Sequence, residues 1–173
     1  MSSHEKRKIV ARGFVELIQG AQWNPDVIAG TATAGIPHAA LVADLMELPM
    51  IYVRGQAKGH GKGNQIEGKL ESGAKVVLIE DLISTGGSSL QAAEGVIHAG
   101  GELLGIAAIF TYGLQVAIEK FNQAGVAFHS LTDFPSLMEV AHNRGSLTTE
   151  QKQLIADWQT DPSSWSSSRG GAA

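Results

Sequence analysis

The 173-residue chain contains no cysteine. That excludes disulfides, a thiol nucleophile and any metal site built on thiolates. No run of 18 apolar residues occurs, so the sequence predicts no membrane-spanning segment. The N-terminus, MSSHEKRKIVARGFVELI, lacks the apolar core of a secretory signal peptide. Positive charge is not in excess either: the net charge is −4. Such a chain has no global pull on nucleic acid or acidic membranes. Any anionic ligand must therefore be held by locally placed donors. Neither nucleic acid nor membrane is expected as a partner, and a cytoplasmic location fits.

What is present is a composition suited to a packed globule. Hydrophobic residues make up 43% and charged residues 17%, which argues against disorder. A chain of this length buries about 70% of its unfolded surface and fits one domain, expected over residues 1–165. The low-complexity stretch 166–173, SSSRGGAA, reads as a disordered tail. Glycine is abundant, at 21 residues. Gly costs backbone entropy unless a position needs its freedom, so this excess points to turns with work to do.

Apolar periodicity orders the chain. Helices are expected from Ser2 or Ser3 to Ile18, Pro37 to Leu48, Ser88 to Ala99, Gln115 to Ala124, Phe134 to His142 and Thr148 to Trp158. Strands are expected at Pro25 to Gly30, Met50 to Val53, Lys75 to Ile79, Leu103 to Phe110 and Val126 to Leu131. The stretch KVVLI is apolar except for Lys75, as in a central strand covered on both faces. Arg54 to Ser72 carries almost no periodicity and reads as one long loop. Alternating strands and helices predict an α/β fold with a mostly parallel central sheet flanked by helices. Ligands of such sheets sit at the carboxyl ends of the strands.

Three segments that follow predicted strands could carry chemistry. In the first, Glu80 and Asp81 end the KVVLI strand and lead into the turn Leu82, Ile83, Ser84, Thr85, Gly86, Gly87, Ser88. Burying unpaired charge is costly, so the acidic pair should face a ligand or cation. Carboxylates can accept hydrogen bonds from a ribose diol. The Ser-Thr-Gly-Gly-Ser turn opens a helix, and its N–H groups form a nest for phosphate. The plainer alternative is a solvated acidic pair before an ordinary cap. The second segment runs from Gly30 to Pro37, where Thr31, Ala32, Thr33 and Ala34 make a small-residue turn that could cradle another phosphate group at a helix start; the plainer alternative is an ordinary βα turn. The third is RGQAKGHGKGNQIEGK, in which Arg54, Lys58, Lys62, Lys69 and His60 cluster around glycines. A basic glycine-rich loop can close over an anionic substrate and stabilise a leaving group. No aromatics interleave with it, so base stacking on RNA is poorly supported.

Other chemistries lack their residues. There is no zinc-type ligand spacing and no nucleophile elbow around Ser84 or Ser88. The glycine turn has no P-loop lysine. His38, His98, His129 and His142 are scattered and read as structural or exposed.

Taken together, VVLIEDLISTGGS, GTATAGIPHAALVADLMELPMIYVR, KGHGKGNQIEG, IAAIFTYGL and SLTDFPSLMEVA resemble the type I phosphoribosyltransferases, and most of all the orotate phosphoribosyltransferases. The resemblance runs from about Arg7 to Trp165. It implies the type I phosphoribosyltransferase fold. It also implies Mg²⁺-dependent transfer of phosphoribosyl from 5-phosphoribosyl 1-diphosphate (PRPP) to orotate. The products are orotidine 5′-phosphate and diphosphate, in de novo pyrimidine biosynthesis.

Glu80 and Asp81 would then bind the ribose hydroxyls, and Ser84 to Ser88 the 5-phosphate. Leu82 and Ile83 fall within that PRPP segment, and Ser84 would also lie near orotate. Arg54, Lys58 and His60 would contact diphosphate and act in catalysis, with Thr31, Ala32 and Thr33 forming the diphosphate loop. Mg²⁺ would be held mainly by substrate oxygens and water, with no protein ligand set. The basic loop implies a homodimer, since in the family it reaches into the partner's site. Gly55 and Ala34 stand where some relatives carry Lys, so neither inherits a basic role. Family members of this kind carry an N-terminal motif like FTWxSGxxSPxYxD that hoods orotate. The chain has no such motif and is read as lacking the hood. The alternatives are transfer to another base, or a PRPP-binding regulator without activity.

Overall fold

The computed structural model describes residues 3–55, 65–162 and 164–165. The expected tail at 166–173 lies outside the described residues. Helix α1 (His4–Gly20) starts where Ser3 accepts a hydrogen bond from the Lys6 N–H. Such a cap supplies one of the partners a helix start lacks and contributes about 1 kcal/mol. There follow β1 (Val27–Thr31), α2 (Gly35–Met46), β2 (Met50–Val53), β3 (Ile66–Glu67), β4 (Lys75–Ile83) and α3 (Gly87–His98). The chain continues through β5 (Glu102–Thr111), α4 (Gln115–Ala124), β6 (Phe128–Asp133), α5 (Phe134–Asn143) and α6 (Thr149–Thr160). Thr148 caps α6 in a reciprocal box with Gln151.

The strands form one six-stranded sheet in the order β3-β2-β1-β4-β5-β6. Every pairing is parallel except β2 with β3. This is the expected α/β architecture. Successive strand residues point to opposite faces, and β4 shows the result. Val76 and Leu78 pack with Ala92, Ala93 and Val96 of α3 and Phe121 of α4. Val77 and Ile79 pack with Phe14 and Ile18 of α1 and Val42 of α2. Both faces are dry, which is why the strand needs an apolar residue at every position rather than at alternate ones. Burying each such side chain contributes roughly 1.5–3 kcal/mol. Among the described residues no helix is long and apolar enough to cross a membrane.

Two expectations are corrected. Arg54 to Ser72 is not a loop throughout, because β3 pairs Val53 with Ile66 and Tyr52 with Glu67. Ile66 is buried and joins the core behind α3. A two-residue strand is too short to show alternation, so its tertiary contacts alone define it. The second correction concerns β4, which does not stop at Ile79. Its ladder with β5 continues from Glu80↔Ala108 to Ile83↔Thr111. The acidic pair therefore lies inside a strand and not in a turn.

Candidate functional site

The chain winds outward from β1 to β2 and β3 on one side, and from β4 to β5 and β6 on the other. The direction of winding thus reverses between β1 and β4, and such a reversal opens a crevice beyond the strand ends. Here the crevice has a direct cause. The ladder between β1 and β4 ends at Gly30↔Ile79, while β4 runs four residues further beside β5. Next to this overhang lies a cleft of about 380 Å³. It falls within the range of small-molecule sites.

One wall is the turn Thr31 to Ala34, with Thr31 buried and the next three residues exposed. The turn leads directly into α2, whose start has no side-chain cap. The Ala32–Thr33 peptide is cis. Gly35 is required by close approach: a Cβ there would run into the Ile79 carbonyl oxygen and the Thr31 hydroxyl. Without a side chain, the first turn of α2 seats directly on β4. The start of α2 thus borders the cleft through Ala34, and a helix N-terminus is a favourable place for an anion.

The floor is the acidic pair, and its two members differ. Glu80 is buried at 6% exposure. Its Oε1 accepts hydrogen bonds from the Thr31 hydroxyl at 2.6 Å and the Asp81 N–H at 3.2 Å. Its Oε2 accepts from the Ser89 hydroxyl at 2.9 Å. Burial pushes its pKa above the ordinary carboxylate value, although the bonds from Thr31 and Ser89 pull the other way. Asp81 is only half-buried and forms no ion pair among the described residues. Both border the cleft, but Glu80 already serves three protein donors. The sequence reading treated the pair as equivalent.

The opposite wall is Leu82 and the N-terminal turn of α3. Leu82 and Ser88 line the cleft, and Ser84, Thr85 and Gly87 between them are exposed. Ile83 is different: its side chain is fully buried and its carbonyl accepts from the Tyr112 N–H and the Thr111 hydroxyl. Gly86 caps α3 with φ +79°, and a Cβ there would stand 2.8 Å from the Phe121 ring. Like α2, α3 begins without a side-chain cap. Two uncapped helix starts therefore face one cleft across a carboxylate floor. That is a layout for a ligand with two anionic ends and a polyhydroxy middle.

The basic loop is placed in part. Arg54 does not line the cleft. Its guanidinium pairs with Glu67 at 3.0 Å, across the β2–β3 ladder. Lys58 and His60 lie outside the described residues, as does Lys62. His38 is buried beside Phe14, and burial lowers its pKa. His129 packs on Trp23, and His142 bonds the Leu147 carbonyl.

Ala34 and Gly55 border the cleft from within two of the candidate segments, without an assigned role, whereas sequence reasoning missed Val53, Gln91 and Ala92 as cleft residues. A signal for the last two existed. Gln91 and Ala92 follow Ser88 by three and four positions on a helix, hence on its face. Val53 and Gly55 stand at and just beyond the carboxyl end of β2, where the general rule for such sheets places ligands.

Comparison with known proteins places the chain in a family. Residues 2–124 match the family of the phosphoribosyl transferase domain. The orotate phosphoribosyltransferase of Listeria monocytogenes serotype 4b is 52% identical over 159 residues, spanning 92% of this chain and 76% of that protein. The fold is shared with the UMP synthase of Leishmania donovani at a TM-score of 0.75 and 27% identity, covering 88% of this chain and 32% of that one. It is also shared with Mycobacterium tuberculosis orotate phosphoribosyltransferase in complex with PRPP, at a TM-score of 0.64 and 27% identity, over 78% of this chain and 77% of that one. The chain belongs to the phosphoribosyl transferase family and, within it, to the orotate phosphoribosyltransferases.

Proposed function

We propose that the chain binds PRPP in the cleft between β1 and β4 and transfers its phosphoribosyl group to orotate. The observation that carries this is the pair of uncapped helix starts on either side of Asp81. The turn Ser84 to Ser88 takes the 5-phosphate, Asp81 accepts hydrogen bonds from the ribose diol, and Thr31, Ala32 and Thr33 take the diphosphate through their backbone, the Thr31 hydroxyl being committed to Glu80. Ile83 contributes through its backbone, since its side chain is in the core. Ser84, exposed at the turn, also borders orotate.

In the reaction the bond from C1 of the ribose to diphosphate oxygen breaks, and diphosphate leaves with the electron pair. A ring nitrogen of orotate forms the new bond to C1 and gives up its proton, yielding orotidine 5′-phosphate. No covalent intermediate with the protein is needed. The task of the protein is to hold the two reactants in line and to stabilise charge on the departing diphosphate. N–H groups at the α2 start do this from one side, and Lys58 and His60 from the basic loop complete it. Hard oxygen donors line the cleft, among them Thr33 and Asp81, and such donors suit Mg²⁺. The ion would be held mainly by diphosphate and ribose oxygens and water. There it supplies neutralisation of the diphosphate charge. Mg²⁺ dependence, a homodimer and a cytoplasmic location in pyrimidine biosynthesis rest on the family relationship.

The test is spectrophotometric consumption of orotate with PRPP and Mg²⁺, beside calorimetric titration of PRPP alone. Orotate loss with stoichiometric orotidine 5′-phosphate is the expected result. Tight PRPP binding with no orotate loss, or turnover of a different base only, overturns the assignment.

A further inference from the structure

Glu80 sets a problem that PRPP binding does not by itself explain. A carboxylate in the sheet interior loses hydration, and an apolar residue of similar size would be cheaper to bury. The bonds it makes have a pattern. Thr31 is the last residue of β1 and opens the turn Thr31 to Ala34 before α2. Ser89 is the third residue of α3, immediately after the turn Ser84 to Ser88. One carboxylate, fixed on β4, thus accepts the hydroxyl of a residue in or next to each anion-binding turn, at 2.6 Å and 2.9 Å. Each bond has a charged acceptor, which makes it roughly twice as strong as a neutral one.

We propose that Thr31 and Ser89 are positioning residues that, through Glu80, hold the two anion-binding turns at the separation PRPP requires. The proposal rests on the assignment of the cleft to PRPP. A ligand with two anionic ends gains over its halves because binding one end presents the other at high local concentration. That gain is largest when the two subsites are already at the right distance. The β1–β4 ladder stops at Gly30↔Ile79, one residue before Thr31. Beyond it the Thr31 hydroxyl meets the Ile79 carbonyl at 3.2 Å as well as Glu80, and of these two acceptors it is the carboxylate that also reaches α3, through Ser89. Breaking this link leaves each turn able to bind its own anion, and removes the advantage of the joined ligand.

The experiment is calorimetric titration of three ligands, PRPP, ribose 5-phosphate and inorganic diphosphate, with Mg²⁺ present. It uses the full chain, Thr31→Val, Ser89→Ala and Thr31→Ser, each with a melting curve to confirm folding. Thr31→Val keeps the side-chain shape, and Ser89→Ala breaks the link from the other side, so the two test it independently. Each should lose roughly tenfold in PRPP affinity, the worth of one hydrogen bond to a charged group. Ribose 5-phosphate and diphosphate should each change by less than about twofold in the same variants. Thr31→Ser retains the hydroxyl and should restore PRPP affinity. Unchanged PRPP affinity in both disrupted variants overturns the proposal. So does a fall in the half-ligands equal to that in PRPP, which is what general destabilisation produces. A parent chain that binds no PRPP overturns the functional assignment itself, and this outcome is separate from the other two.

Discussion

The Gly86→Ala substitution tests how the turn Ser84 to Ser88 is built. Gly86 has φ +79°, a conformation that costs an L-residue roughly 1–2 kcal/mol. The added methyl also meets the Phe121 ring at 2.8 Å. That ring cannot retreat easily: Phe121 is 1% exposed and lies against Phe128 with centroids 4.4 Å apart. Overpacking of this kind costs roughly 1–3 kcal/mol. The sum predicts a loss of about 2–5 kcal/mol, read from urea unfolding. Two companions separate the contributions. Gly87→Ala meets open space and has no positive φ, so its change should stay within about 0.5 kcal/mol. Phe121→Leu frees room at the ring, so adding it to Gly86→Ala should recover the overpacking part but not the dihedral part. The double variant should therefore be more stable than the sum of the singles by about 1–3 kcal/mol. Strict additivity, or a loss below about 1 kcal/mol for Gly86→Ala alone, would refute this account of the turn.

Two further outcomes are expected. Asp81→Asn should weaken PRPP binding by roughly 1.5–3 kcal/mol, because the ribose diol loses a charged acceptor; equal affinity by calorimetry counts against the ribose assignment. The other concerns pH. Burial holds the Glu80 carboxyl above its ordinary value of 4.5, so the folded chain takes up that proton more readily than the unfolded chain. Its contribution to stability is fully present below the unfolded value and is lost as pH rises through the folded one. Glu80→Gln has no proton to lose there. The urea midpoint of the parent should therefore fall relative to Glu80→Gln as pH rises from about 4.5, and parallel curves would contradict the buried-charge reading.

The amino-acid sequence determined the local units of this protein. Apolar residues at nearly every position of KVVLI marked the central strand, and helical spacing marked all six helices to within a few residues. Those signals are legible because burial on one or two faces imposes a period on neighbouring residues. The segment VVLIEDLISTGGS likewise pointed to the end of β4 that borders the cleft, since its residues are contiguous in the chain. Tertiary structure decided what depends on distant partners. β3 exists because Ile66 finds the core and Val53 offers an edge to pair with. The cleft exists because β1 stops pairing where β4 runs on. Adjacent in sequence, Glu80 and Asp81 looked like one device. Strand alternation, with Thr31 49 residues away and Ser89 on the next helix, buried one of them among protein donors and left the other half-exposed at the cleft.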